Sequence, residues 1–74
     1  MVDPQHRVWV TDRGNHRVEI FDSKGQFLGL FGSFGSAPGQ MNAPSSLAMD
    51  QAGNVYVLDG LNSRVQKFRP RAEK

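Results

Sequence analysis

Two aspartates are the residues best suited to chemistry in this sequence, because each is followed by an arginine five positions later. Asp12 precedes Arg17, and Asp59 precedes Arg64. A guanidinium can bind a carboxylate through two parallel hydrogen bonds. A catalytic acid or base would not need to recur, so we interpret the repeated pair as structural. With the intervening asparagine, each copy is predicted to stabilise a tight turn through three side chains: Asp12, Asn15 and Arg17 in the first copy, and Asp59, Asn62 and Arg64 in the second.

The histidines and the lack of cysteine argue against a metal centre. The 74 residues include two histidines, His6 and His16, and no cysteine. A catalytic zinc needs about three protein ligands. No phosphate-binding loop, paired-carboxylate site or Ser-His-Asp set is evident in the sequence either. We therefore predict no enzyme activity, no catalytic residue, no metal site and no cofactor.

The composition is that of a globular protein, with 38% hydrophobic residues, 22% charged residues and a net charge of +2. The longest apolar run, residues 27–31, is much shorter than the roughly 18 residues that a membrane helix requires. The first residues lack the apolar core of a signal peptide. We therefore expect a soluble chain that has no membrane partner, and the sequence leaves its compartment unknown.

Residues 8–21 recur, in modified form, as residues 55–68, at a spacing of 47 positions. A repeat of about 20 to 50 residues is typical of solenoids, propellers and arrays, in which each unit buries its apolar faces against its neighbours. Seven of the 14 aligned positions are identical: Val8/Val55, Val10/Val57, Asp12/Asp59, Asn15/Asn62, Arg17/Arg64, Val18/Val65 and Phe21/Phe68.

Short apolar segments between turn residues predict that each unit is a meander of antiparallel strands. Residues 7–12 and 54–59 are apolar on both faces, which is typical of a sheet packed between other sheets. Trp9 and Tyr56 share one repeat position, and Phe21 and Phe68 share another, so we expect all four in the core between the sheets. Residues 32–44 are rich in Gly, Ser and Pro and predict a connection between units.

The order of these motifs resembles that of the NHL-repeat family of β-propellers. Asn15-His16-Arg17 is similar to the tripeptide that names the family, and the likeness extends over residues 2–69. The resemblance implies an all-β fold in which antiparallel four-stranded meanders form the blades of a β-propeller. A family ring has about five or six blades, so this chain is expected to hold about one and a half blades of an incomplete propeller.

The resemblance also divides the chain into four segments. Residues 1–31 are predicted to form a partial first blade, in which Met1 to Asp3 is a stub of the innermost strand. Residues 32–44 are the predicted crossing loop between blades, and residues 45–69 the partial second blade. Residues 70–74 are predicted to be a charged tail.

The function that the resemblance implies is that of a non-enzymatic scaffold or binding module, for protein–protein interaction and self-assembly. The expected partners are copies of the chain, in a homo-oligomer or domain-swapped assembly, the rest of a longer propeller, or another protein. One alternative is an RNA-binding surface, and the other is an inert piece of a propeller enzyme such as an amidating lyase, or an excised or engineered propeller fragment. The candidate ligand or RNA contacts are Arg13, His16, Phe34 and Met41. For Met41, the favoured interpretation is that it fills a gap between blades.

Overall fold

The fold consists of two three-stranded antiparallel sheets, in the orders β1-β2-β3 and β4-β5-β6. It is taken from a computed structural model that describes residues 1–69, and the predicted tail at residues 70–74 lies outside that range. The all-β prediction is confirmed. The strands are β1 Val8–Asp12, β2 Arg17–Phe21, β3 Phe27–Phe31, β4 Pro44–Met49, β5 Val55–Asp59 and β6 Arg64–Phe68, and short 3-10 turns at Arg13–Asn15 and Gly60–Asn62 join β1 to β2 and β5 to β6.

The residues before β1 occupy the position that β4 occupies in the second sheet. Val2 forms an antiparallel bridge with Val8, and Met49 pairs in the same way with Val55, 47 residues later. The first sheet thus has the stub of a fourth strand beside β1, where the sequence predicted one. Within the 69 described residues, no helix is long and apolar enough to cross a membrane.

Aspartate turns connect the strands and explain why the chain reverses where it does. Asp3, Asp22 and Asp50 each accept, through Oδ1, hydrogen bonds from the backbone N–H groups two and four residues later, at 2.9 to 3.0 Å. This is the local bonding by which aspartate favours turns. The residue three positions after each aspartate has a positive φ, with values of 65° for His6, 86° for Gly25 and 88° for Gly53.

The core lies between the two sheets, where β1 packs beside β4. Its fully buried side chains include Val18 from the first sheet, Val57 from the second and Met41 from the loop between them. Trp9, Phe31 and Phe68 are partly buried and pack against this cluster. The rings of Phe31 and Phe68, from different sheets, have centroids 4.8 Å apart.

Two of the four aromatic residues expected in the core between the sheets have other contacts. Trp9 and Phe68 pack against the core cluster, whereas Phe21 packs edge-to-face on Phe27 within its own sheet. The hydroxyl group of Tyr56 donates a hydrogen bond of 3.0 Å to Asp50. Tyrosine commonly combines an apolar body with a polar tip in this way.

Identical residues of the two repeats differ sharply in burial. Val18 is 0% exposed, but its equivalent Val65 is 61% exposed; Val57 is 0% exposed, but its equivalent Val10 is 40% exposed. Cross-strand partners share a face of a sheet. The first sheet therefore meets the second with the face that carries Val18, and the second meets the first with the opposite face.

Candidate binding site: the turn sockets

Each predicted Asp-Asn-Arg set lies where one strand turns into the next. Asp59 ends β5, Asn62 ends the 3-10 turn, and Arg64 begins β6 as the direct cross-strand partner of Asp59. Ser63 between them has a φ of 54°, in the left-handed region, which closes the turn. We call Asp59, Asn62, Arg64 and Gln66 the Asp59 socket, and the equivalent residues Asp12, Asn15, Arg17 and Glu19 the Asp12 socket.

The carboxylate of Asp59 is fully buried and is the centre of its socket. Oδ1 accepts a 2.7 Å hydrogen bond from the backbone N–H of Asn42, which belongs to the crossing loop. Oδ2 accepts bonds from Arg64 Nε at 2.8 Å, Asn62 Nδ2 at 3.0 Å and Gln66 Nε2 at 3.1 Å. A buried charge is tolerated only when it is paired and hydrogen-bonded to this extent.

The guanidinium of Arg64 binds the crossing loop as well as the carboxylate. Nη1 donates to the carbonyl of Ser36 at 2.9 Å, and Nη2 donates to the carbonyls of Ala37 at 3.1 Å and Gln40 at 2.8 Å. The bidentate pair that guanidinium geometry allows does not form here, because only Nε reaches Asp59. The other N–H groups instead satisfy loop carbonyls that have no partner in a sheet.

The two remaining socket residues also hold the loop. Asn62 Nδ2 donates to the carbonyl of Gly35 at 2.8 Å. Gln66 binds in both directions, since its Nε2 donates to the carbonyl of Gln40 at 2.7 Å and its Oε1 accepts from the N–H of Gly39 at 3.0 Å. The Asp59 socket therefore captures residues 35–42 by their backbone rather than by their side chains.

The Asp12 socket has the same residue types at three of its four positions, but it is more open. Asn15 Nδ2 donates to Asp12 Oδ2 at 3.0 Å, as in the other socket. Arg17 Nε, however, lies 3.6 Å from Asp12 and 2.8 Å from Glu19, which replaces Gln66. Glu19 thus competes with Asp12 for the guanidinium. The Arg17 side chain is 37% exposed, and within residues 1–69 it donates only through Nε.

The candidate ligand contacts fall into two groups. Arg13 and Phe34 are exposed, and the rings of Phe34 and His16 have centroids 4.8 Å apart. His16 also has a structural contact, because its Nδ1 accepts a 3.0 Å hydrogen bond from the backbone N–H of Ala43. The side chain of Met41 is 0% exposed and lies between the sheets, where it fills the gap between the two blades as the favoured interpretation expected, and it offers no exposed surface to a ligand.

The carboxylates in these turns are held in their ionised form. Burial opposes the ionisation of Asp59, but the hydrogen bonds from Asn42, Asn62 and Arg64 outweigh it and keep its pKa below the usual value. Burial is likewise outweighed at Asp3, whose pKa is lowered by its hydrogen bonds from Trp9 and Arg7. The pKa of Asp12 is lowered by Asn15 first, and that of Asp50 by Asn54 first.

These lowered pKa values predict that acid destabilises the fold. The unfolded chain binds protons at about pH 4, whereas the folded carboxylates of Asp3, Asp12, Asp50 and Asp59 resist protonation until lower pH. Their contribution to stability is therefore complete above about pH 5 and is lost as the pH falls through the folded pKa values. Urea unfolding at a series of pH values measures this loss. Asp50→Asn should make the decline shallower, and a free energy of unfolding that stays constant from about pH 5 to pH 3 would contradict the prediction.

Sequence reasoning missed the partners that the crossing loop supplies. Asn42 and the carbonyls of residues 35–40 are contacts of the backbone, so side-chain types do not reveal them. It also missed the acceptor for Trp9, whose Nε1 donates to Asp3 at 2.8 Å, as Tyr56 does to Asp50. The equal spacing of the two pairs in the repeat was a signal that could have indicated this bond.

The side chains of the Asp59 socket can bind the backbone of the crossing loop and so hold the two sheets together. Within the described part of the chain, no group of three or more metal-ligating side chains comes together. Two meander sheets that pack face to face in a 47-residue repeat define a repeat protein of the β-propeller type. A family model described as the NHL repeat matches residues 2–21 and 41–68, which together are more than half of the chain, and the chain belongs to this family.

Similar proteins have several different names and come from different animals. The chain is 35% identical over 72 residues to the "Probable peptidyl-alpha-hydroxyglycine alpha-amidating lyase" of Caenorhabditis elegans, a match that covers 90% of this chain and 21% of the relative. It is 34% identical over 59 residues to the protein brain tumor of Drosophila melanogaster, covering 78% of this chain and 6% of the relative. It is 37% identical over 54 residues to the human NHL repeat-containing protein 3, covering 73% and 16%. The chain thus spans about a fifth or less of these relatives.

Proposed function

We propose that this chain is a protein-binding scaffold that assembles with further copies of itself by stacking sheet on sheet. The observation that carries the proposal is the opposite burial of identical valines. Val65 and Val10 are exposed, yet their repeat equivalents Val18 and Val57 are fully buried where the two sheets meet. The two outer faces therefore present, on opposite sides of the molecule, equivalents of the surfaces that already pack together inside it.

The outer faces also have complementary charge. In the register of the second sheet, Leu58 opposes Val65 and Tyr56 opposes Lys67, so these four side chains share the outer face of that sheet. The outer face of the first sheet carries Val10 with Asp12, Arg17 and Glu19, which together have a charge of −1. Lys67 on one outer face and this net negative charge on the other favour contact between different faces over contact between equal ones. Such head-to-tail contacts generate a ring when they close and a filament when they do not.

The amidating-lyase relative does not lead us to propose an enzyme, because the match covers 21% of that relative and no group of three or more metal-ligating side chains comes together in the described residues. RNA binding takes second place because few of its candidate contacts are available. Of the four candidate ligand or RNA contacts, Met41 is buried and His16 accepts a bond from Ala43. Arg13 and Phe34 remain, and two side chains make a small surface compared with the apolar faces of the sheets.

The experiment is a measurement of mass by light scattering after size-exclusion chromatography, at two protein concentrations. The wild-type chain is expected to have a mass of two or more chains that rises with concentration. Val65→Asp should lower this mass to that of one chain, because a buried carboxylate without a partner is costly. Circular dichroism should show the same β-structure in both proteins.

The matched control is Lys24→Asp, which introduces the same side chain in the exposed turn between β2 and β3. It should leave the mass of the assembly unchanged. A wild-type chain that stays monomeric at both concentrations would refute the proposal, and so would an assembly that Val65→Asp and Lys24→Asp affect equally.

A further inference from the structure

Strand β3 forms an open, apolar edge of the first sheet. Within the described residues it pairs with β2 on one side only. Its exposed side chains are large and apolar, with exposures of 56% for Phe27, 52% for Leu28 and 47% for Leu30. The unpaired N–H and C=O groups of an edge are a template for another strand, and natural sheets usually protect them with charged side chains or a bulge.

The edge of β3 carries no charge that would keep another strand away. The two edges remote from the contact between β1 and β4 are β3 and β6. No charged side chain occurs between residues 25 and 49, whereas β6 carries Arg64 and Lys67. A bulge opposite the step from Ile20 to Phe21 limits the regular part of β3 to residues 29–31. A strand that pairs there therefore makes a short contact.

The backbone of Leu30 faces away from β2. Trp9 exchanges two hydrogen bonds with Met1, at 2.8 and 3.0 Å. Its neighbour Val10 therefore bonds to β2, since backbone groups alternate in direction along an antiparallel strand. Val10 pairs with Glu19, and Glu19 pairs with Leu30. Because the backbone groups of Glu19 bond to β1, the N–H and C=O of Leu30 point outward from the edge.

We propose that β3 pairs antiparallel with β3 of a second copy, about a two-fold axis at Leu30. Each Leu30 N–H donates to the Leu30 carbonyl of the other copy, so the two three-stranded sheets join edge to edge. Pairing of β3 with β6 is disfavoured, because it would place Lys67 among apolar side chains. Gly29 leaves room for the second strand, since nothing lies within 4 Å of the position that a Cβ would take there.

This contact is independent of the stacking proposed above, because it uses the edge of a sheet rather than its face. A two-fold contact closes with two chains and does not propagate. A contact of so few residues is also weak. The Val65→Asp chain therefore stays monomeric at the concentrations of the mass measurement and pairs only when it is more concentrated.

The test uses the Val65→Asp chain, in which stacking is removed, at concentrations up to about 1 mM, because weak contacts associate in that range. Sedimentation equilibrium should show a mass that rises to two chains and no further. In spectra of the ¹⁵N-labelled chain, the amide resonances of β3 should shift as the concentration rises, and those of β6 should not.

Substitutions at Leu30 test the position of the axis. Leu30→Asp and Leu30→Lys, each added to Val65→Asp, should weaken the pairing at least about fivefold, because like charges then lie directly opposite each other. An equal mixture of the two variants should pair at least about fivefold more tightly than either alone, because opposite charges then meet at the axis. Leu61 is the matched control, since it is 65% exposed in the turn between β5 and β6. The same substitutions there should change neither result.

The proposal is overturned by a Val65→Asp chain that stays monomeric throughout this range, by shifts in β6 as large as those in β3, or by a mixture that pairs no more tightly than the separate Leu30 variants. Circular dichroism of every variant shows whether a change in mass reflects a loss of fold. Stacking is absent from the Val65→Asp chain. A wild type that fails to stack therefore leaves this test intact, and a failure of β3 to pair leaves the stacking measurement intact.

Discussion

Replacing Asp59 with alanine is expected to lower the free energy of unfolding by about 3 to 5 kcal/mol, the usual cost of removing one partner from a buried ion pair. The carboxylate is fully buried and accepts four hydrogen bonds. Without it, the N–H of Asn42 and the Nε of Arg64 lose their buried acceptor. A small domain has a total stability of about 5 to 15 kcal/mol, so the variant is measured at low temperature in a urea titration followed by circular dichroism.

The chain contains its own control for this prediction, because Asp12 is the same residue at the equivalent repeat position. Its side chain is 26% exposed, and Arg17 has turned from it toward Glu19. Water can replace the contacts that it loses, so Asp12→Ala should destabilise the fold far less than Asp59→Ala. Equal losses in the two variants would show that the turn, rather than the captured loop, accounts for the stability.

Replacing Met41 with alanine is expected to cost about 2 to 5 kcal/mol, as is typical of large-to-small substitutions in a core. The side chain is 0% exposed and belongs to the cluster that contains Val18 and Val57, one from each sheet. Its loss would leave a cavity at the junction of the two sheets. Chemical unfolding at neutral pH, followed by circular dichroism, measures the change.

Phe34 is the matched control for Met41, since the two residues form a bridge across the same loop. Its side chain is 65% exposed, so Phe34→Ala should change the free energy of unfolding by less than about 0.5 kcal/mol. A cost at Phe34 as large as that at Met41 would mean that the loop packs differently from the arrangement described above.

The strands and turns of this protein could be predicted from the sequence because their causes are local. β-Branched and aromatic residues favour extended backbone. An aspartate favours a turn because its side chain can accept hydrogen bonds from backbone N–H groups a few residues later. The Asp-Asn-Arg sets were recognisable for the same reason, since all three side chains lie within six consecutive positions. The repeat then indicated that the strands and the turn of residues 8–21 form again in residues 55–68.

The partners of the Asp59 socket could not be predicted, because they come from backbone 17 to 28 positions away in sequence. The residue types of Ser36 and Ala37 do not indicate that their carbonyls accept hydrogen bonds from Arg64. For Met41 the sequence left two roles open, a ligand contact and a filler between blades. The close approach of the two sheets encloses its side chain and selects the second role.

The sequence by itself determined that residues 8–21 and 55–68 form the same pair of strands, joined by the same kind of turn and carrying the same Asp-Asn-Arg set. The tertiary structure alone decided which unit has its socket filled and which of two identical valines is buried. Val18 and Val65 are the same residue type and each follows an arginine in its strand, yet one is enclosed and the other is 61% exposed. The reason is that burial depends on the second sheet against which a face packs, and a repeated sequence carries the same face in both units.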